Sequence, residues 1–248
     1  MNDDLAGLTV AITGASSGIG EATARACAGA GAAVSLAARP KERIDDLAQG
    51  IVADGGRAIA IETDVGDEAQ ATAFVQRTAS ELGRIDVLVN NAGVMLLGPI
   101  NGADTGEWRR MIDANVYGVL YCTHAALPLM LAQGSGQIVN VSSVAGRFAR
   151  AGSGVYNLTK FGIGAFTEAL RQEVAPAGLR VTLIEPGAVA TELGGHNRPE
   201  IIDAMRKMFA DVKPLEADDI ANAIVYAISQ GPNVAVNEVL VRPSGQVR

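Results

Sequence analysis

The sequence predicts a doubly wound α/β fold: a single domain over residues 1–248, with about seven parallel strands and helices on both faces of the sheet. Three observations predict it. Short β-branched runs alternate with stretches of helical length along the whole chain. Runs such as Val10-Ala11-Ile12 and Val87-Leu88-Val89 are apolar without polar alternation, the pattern of strands covered by helices on both faces. A glycine-rich turn follows the first run and opens a helical pattern, the unit from which open parallel sheets of the Rossmann type are built.

Strands are expected over residues 8–13, 33–38, 58–62, 85–90, 137–142, 180–184 and 238–241. The helix after the first strand presents Ile19, Ala22, Ala26 and Ala30 as its apolar face. Asp67 is placed to cap a helix ending at Leu82 with Gly83 as its stop, and Asp218 to open a helix through Ser229 with Gly231 beyond it. Residues 194–213, rich in Gly, Pro, His and Met, interrupt this rhythm between a strand and a helix. A segment there is expected to be a mobile lid over an active site.

Composition narrows the function. With 248 residues, 48% of them hydrophobic, the chain suits one compact core. A net charge of -7 and a pI near 4.9 leave no basic face for nucleic acid. No run approaches the roughly 20 apolar residues that span a bilayer, and the start carries Asp3 and Asp4 in place of a basic leader, so a soluble cytoplasmic protein with no membrane partner is expected. Cys27 and Cys122, the only cysteines, form no CxxC pair or Cys/His cluster; both read as reduced core or interface thiols, and no metal is expected.

Thr13-Gly14-Ala15-Ser16-Ser17-Gly18-Ile19-Gly20 lies between strand and helix. Its glycines permit a tight turn and a close approach of backbone to a pyrophosphate at the helix N-terminus. The second strand ends Ala37-Ala38-Arg39, with Ala38 where an acid would take the ribose hydroxyls of NAD and Arg39 beside it. A guanidinium there holds a ribose phosphate, which favours NADP.

Ser143 ends the strand Val139-Asn140-Val141-Ser142, where open α/β sheets bind ligands. Tyr156 and Lys160 stand at i and i+4, so a helix beginning near Gly154 puts them on one face. An ammonium beside a phenol is expected to lower its pKa and make Tyr156 a usable proton donor or acceptor. Ser143 would hydrogen-bond the substrate oxygen, and Lys160 would tune the phenol and hold the cofactor ribose.

These motifs together resemble the short-chain dehydrogenase/reductase family over nearly the whole chain. The resemblance makes 13–20 the TGxxxGxG loop, Asn90-Asn91-Ala92-Gly93 the NNAG element and Asn115 a fourth catalytic residue, positioning a water that relays protons from Lys160. It also implies that Asp64, next to Val65, contacts the adenine amine, that Asn90 lies beside the adenosine, that Pro186-Gly187, with Val189 after it, shapes the nicotinamide pocket and that Thr191 contacts the carboxamide. Ser17 departs from relatives that carry a basic residue in the loop, which leaves Arg39 as the main support for NADP. A narrower resemblance, on Met95-Leu96-Leu97-Gly98-Pro99, Thr191-Glu192-Leu193 with His196, and the ending from Arg242 to Val247, is to NADP(H) reductases of the clavulanic acid dehydrogenase type.

The expected function is hydride transfer between NADPH and an aldehyde or ketone, or the reverse as an alcohol or 3-hydroxy-acid dehydrogenase. An epimerase or dehydratase needing a larger substrate domain is disfavoured by the length. A catalytically silent nucleotide sensor is the alternative from another class, and intact Ser143, Tyr156 and Lys160 argue against it. Val94, Met95, Leu96, Val144, Ala145, Val189, Leu193, Met205, Met208 and Phe209 are expected in the pocket wall. His196 reads as a lid residue without chemistry, and His124 as helix packing or interface. Arg147 and Arg150 face either a substrate carboxylate or a neighbouring subunit. The resemblance implies a homotetramer or homodimer through the helices bearing Asn115 and Tyr156 and through the C-terminal segment, with Val116, Val119, Leu120, Phe161 and Phe166 as candidate contacts.

Overall fold

The computed structural model of the chain describes residues 5–208 and 211–247. Seven strands form one parallel sheet: β1 (Thr9–Thr13), β2 (Ala33–Ala38), β3 (Arg57–Glu62), β4 (Val87–Asn90), β5 (Gln137–Val141), β6 (Arg180–Pro186) and β7 (Glu238–Val241). Their order is β3-β2-β1-β4-β5-β6-β7. The order turns back between β1 and β4, paired through Val10 and Val87, and this reversal opens a crevice at the carboxyl ends of the strands.

Among the described residues there are eight α-helices, α1 (Gly18–Gly29), α2 (Lys41–Ala53), α3 (Glu68–Leu82), α4 (Thr105–Ile112), α5 (Gly118–Gln133), α6 (Gly154–Val174), α7 (Pro199–Met208) and α8 (Ala217–Ile228), and α1, α2, α3, α5, α6 and α8 cover the sheet. On one face Cys27 of α1, Ile44 and Leu47 of α2 and Ile224 of α8 pack over Val10, Ile12 and Leu36. On the other, Phe74 of α3, Met130 of α5 and Leu170 of α6 pack over Leu88 and Ile138. A fully buried side chain of the size of Phe74 contributes about 1.5–3 kcal/mol. All five residues of β1, β5 and four of β4 are buried, so their uniformly apolar or short polar sequences follow from a two-sided core.

The helix ends explain themselves chemically. Asp67 accepts from Gln70 N and Gly83 closes α3 in the left-handed region with φ 87°. The last long helix begins at Ala217, not at Asp218: Glu216 and Asp219 form a reciprocal capping box, and Asp218 lies in the first turn. In α1 the buried side chains centre on Ala22, Thr23, Ala24 and Cys27, because Thr23 turns inward and bonds the Ile19 carbonyl at 2.7 Å; Ala26 and Ala30 are only partly covered. Both cysteines are buried, which pushes each thiol up to about 12 and leaves it inert. Among the described residues no group of His, Cys, Asp and Glu is arranged to hold a metal, and no helix is long and apolar enough to cross a membrane.

Candidate functional site

A cleft of about 1180 Å³ lies over the carboxyl ends of the strands at the point where their order reverses. Gly14, Ser16, Ser17, Gly18 and Ile19 form its floor near β1. Gly14 adopts φ 66°, and a Cβ there would stand 2.7 Å from the Ala92 backbone. Gly20 lies beneath the floor instead of lining it, since a Cβ on it would fall on the Gly14 carbonyl. Its place in the loop is one of close packing against the Gly14 carbonyl and the Asn91 side chain. The Thr13 hydroxyl accepts from Asn91 N and Ala92 N, each at 3.0 Å, while Asn91 Nδ2 donates to Thr13 O at 3.0 Å. These bonds stitch the loop to the end of β4 and bring Asn91, Ala92 and Gly93 to the cleft.

Ser17 precedes α1 in an extended conformation and makes no side-chain cap. The first-turn N–H groups of α1 therefore lack the acceptor that a capping serine supplies, and the helix end remains available to an anion. Toward β2, Arg39, Asp64 and Val65 line the cleft. Asp64 is fixed there by accepting from Gly66 N at 3.0 Å. Asn90 is not in the cleft. It is buried below, where its Nδ2 donates to Asn140 Oδ1 at 2.9 Å and Thr123 Oγ1 at 3.1 Å, tying β4 to β5 and α5. The side chain points into the sheet-helix layer, away from the place beside the adenosine that the resemblance implied.

Ser143, Tyr156 and Lys160 meet on the opposite wall. Ser143 caps a short 3-10 turn, Val144–Gly146, its Oγ accepting from Ala145 N at 3.1 Å and lying 3.5 Å from the Pro186 carbonyl. Tyr156 and Lys160 share one face of α6, with the ammonium 5.8 Å from the ring centre. Lys160 Nζ donates to Val141 O at 2.9 Å. Burial pushes the Tyr156 phenol up to about 12, against a smaller lowering from the Ser143 hydrogen bond, and pushes Lys160 down to about 8. The expected lowering of the phenol is thus reversed: desolvation of both groups outweighs an ammonium that is turned toward a carbonyl.

Asn115 sits in a single π-helical turn, Asp113–Tyr117, between α4 and α5. Its Oδ1 accepts from Val94 N at 2.7 Å, and its Nδ2 donates to Val94 O at 2.9 Å and Thr159 Oγ1 at 3.2 Å. Thr159 in turn donates to the Tyr156 carbonyl at 2.7 Å. Asn115 therefore braces the wall behind Tyr156 and does not itself line the cleft.

Pro186, Gly187, Val189 and Thr191 complete the far wall, with Ala188 N donating to Gln246 Oε1 at 2.9 Å. Val94, Met95, Val144, Ala145, Leu193 and Met205 line the cleft as expected. Leu96 packs instead with Met111 and Trp108, and Leu97 takes its place, because the segment is extended and neighbouring side chains alternate. The expectations for Phe209 and the Met208 side chain lie outside the described residues. Arg147 is bound to buried Glu185 and to Glu238, so it is not free to meet a substrate; Arg150 and His196 do line the cleft, and His124 is exposed on α5.

Two organising residues carry no motif. Asn157 holds the loop beside Tyr156, its Nδ2 donating to Ala145 O at 2.7 Å and Phe148 O at 2.9 Å. Asn197 docks the segment before α7 onto the cleft wall, accepting from Leu97 N at 2.6 Å and donating to Met95 O at 2.9 Å. Only their type, a side-chain amide able to serve two backbone groups, hints at this in the sequence.

The cleft fits a dinucleotide. It runs from Arg39 and Asp64, past the open end of α1, where Thr191 lies beside Gly18, to Tyr156, and it retains an apolar end for a second molecule. Comparisons agree. A model of the short chain dehydrogenase family matches residues 8–201. An uncharacterized oxidoreductase of Staphylococcus saprophyticus is 42% identical over 244 residues, covering 96% of each chain. Glycine betaine reductase ATRR of Emericella nidulans is 40% identical over 241 residues; the match covers 96% of this chain but only 19% of that much longer protein. Serine dehydrogenase in a closed form complexed with NADP+ superimposes with a TM-score of 0.90 at 32% identity, covering 97% of each chain. Sequence and fold together place this chain in the short chain dehydrogenase family of oxidoreductases.

Proposed function

We propose that the protein is an NADPH-dependent reductase of an aldehyde or ketone, with Tyr156 as general acid and base. The observation that carries this reading is the convergence of Ser143, Tyr156 and Lys160 on one wall of a cleft whose other end is the glycine-rich loop. Gly14, Ser16, Ser17, Gly18, Ile19, Arg39, Asp64, Val65, Asn91, Ala92, Gly93, Pro186, Gly187, Val189 and Thr191 hold the cofactor, which supplies the hydride. Arg39 takes the ribose phosphate.

Ser143 hydrogen-bonds the substrate oxygen and stabilises negative charge as it develops there. Tyr156, which burial keeps protonated, is the proton donor to that oxygen. Lys160, lowered to about 8, changes protonation near neutral pH and returns a proton to the phenol. Asn115 is a positioning residue, acting through Val94 and Thr159. The reverse oxidation of an alcohol uses the same groups, and the serine dehydrogenase likeness favours a hydroxy acid as a second reading. The narrower likeness to clavulanic acid dehydrogenase-type reductases assigns no substrate.

The assembly we propose is a homodimer or homotetramer through the π-helical turn with α5, through α6 and through the C-terminal segment; Tyr117 in that turn and Leu158 and Phe161 on α6 are 44%, 64% and 44% exposed. Val119 belongs to the core and leaves that set. Residues 194–213 act as the substrate lid, and two unpaired buried thiols suit a cytoplasmic protein. Purified protein, NADPH and a panel of aldehydes, ketones and keto acids test the reading by cofactor absorbance. Consumption of NADPH with at least one carbonyl supports it; tight NADPH binding with no turnover on any would favour the sensor reading.

A further inference from the structure

Beyond Arg39, a second arginine lies at the same end of the cleft. Arg43, in the first turn of α2, lines the cleft four residues after Arg39, and its Nη1 donates to Glu192 Oε2 at 2.8 Å. Glu192 directly follows Thr191 and begins the short turn, Glu192–His196, that leads to the segment before α7. The ion pair thus joins two walls of the cleft that are 149 positions apart in sequence. Arg43, with a smaller contribution from the Ser17 hydroxyl of the glycine-rich loop, holds the Glu192 carboxyl below the usual range.

A carboxylate is therefore held by a guanidinium and a hydroxyl beside the uncapped N-terminus of α1. Both donors belong to the wall along which the cofactor's phosphates must pass. Their present acceptor is an anion contributed by the chain itself. The pair is open to water, with side chains 53% and 58% exposed, so it is weak and readily exchanged for a better acceptor. A phosphomonoester with close to two negative charges and three oxygens is such an acceptor for an arginine.

We propose that Arg43 is a second specificity residue for the ribose phosphate of NADP, and that Glu192 competes with that phosphate for it. The proposal rests on the NADP reading above. On binding, Arg43 turns from Glu192 toward the phosphate beside Arg39, and Glu192 is released from α2. Cofactor recognition is thereby linked to the start of the lid segment, because the freed carboxylate stands next to Thr191 and four residues before His196. The consequence for affinity has opposite signs at the two positions. Loss of Arg43 weakens NADP+, whereas loss of the Glu192 charge strengthens it.

Equilibrium titration calorimetry with NADP+ and NAD+ on the full chain tests this without turnover. Arg43→Gln should weaken NADP+ about tenfold, the scale of a charge-assisted hydrogen bond, and leave NAD+ within about twofold, which also reports an intact fold. Glu192→Gln should tighten NADP+ by about two- to fivefold, the scale of an exposed ion pair, with NAD+ unchanged. In the double variant the Glu192 effect should vanish. Equal losses for both cofactors in Arg43→Gln, weaker NADP+ binding in Glu192→Gln, or a Glu192 effect that survives without Arg43 would each overturn the proposal. Wild type and Arg39→Ala, titrated in parallel, separate the two claims. A wild type without preference for NADP+ defeats the NADP reading itself. A preference that Arg39→Ala abolishes and Arg43→Gln leaves intact defeats only the role of Arg43.

Discussion

Lys160 Nζ stands 5.8 Å from the centre of the Tyr156 ring, yet its hydrogen bond goes to the Val141 carbonyl, 2.9 Å away. The two groups share a helix face but are not directly bonded. Burial drives their proton affinities in opposite directions, so the phenol holds its proton while the amine sheds its own more easily. In the function proposed above, the phenol is the stored acid and the amine the group that exchanges with the medium.

That opposition predicts a particular dependence of stability on pH. Between about 8 and 10.5 the unfolded chain carries the Lys160 proton and the folded chain does not, so this residue makes stability rise with pH across that window. Between 10 and about 12 the folded chain retains the Tyr156 proton that the unfolded chain has lost, so that residue makes stability fall. Lys160→Met should therefore be more stable than wild type at pH 7 in thermal melts, with the advantage shrinking as pH rises from 8 toward 10.5, while losing turnover. An advantage that grows over that window would show that burial does not disfavour the ammonium.

Arg39→Ala should weaken NADPH by about 1.5–3 kcal/mol, the range for a hydrogen bond to a charged group, and affect NADH far less. Ala38 supplies no carboxylate to repel the phosphate, so at the strand end the proposed discrimination falls to Arg39. Parallel fluorescence titrations with the two cofactors check it. Equal losses would remove Arg39 from the phosphate site.

Asn197→Ala should loosen the wall formed by the segment before α7. The substitution leaves Leu97 N and Met95 O without their partner, at a cost of about 1–3 kcal/mol if both remain buried. Hydrogen exchange should quicken at residues 194–208 and the Michaelis constant for the carbonyl should rise, while NADP affinity stays near wild type. Exchange in wild type that is slow both with and without NADP and a substrate analogue would mark the segment as a fixed wall and not a lid.

Much of this was legible in the sequence because the signals are local. Apolar strand runs, the glycine-rich turn, Gly83 after Leu82 and the four-residue spacing of Tyr156 and Lys160 are all written within one or two turns of chain. What escaped depends on contacts between distant segments. The inward turn of Asn90 is decided by Asn140 and Thr123, 50 and 33 positions away, and the docking of Asn197 by Met95 and Leu97. The rise of the Tyr156 pKa comes from the depth of the cleft wall, which no spacing rule reports. The π-helical turn at Asn115 likewise follows from bonds to Val94 and Thr159, made across the fold.

Single-turnover oxidation of bound NADPH by one carbonyl substrate, compared between wild type and Tyr156→Phe, tests the central claim most directly. The variant removes the phenolic hydroxyl and keeps the ring that packs with Val94, Leu96 and Met111. The rate should fall at least about a hundredfold, the usual share of general acid-base catalysis, with NADPH affinity unchanged. A variant that oxidises bound NADPH at the wild-type rate would contradict the account.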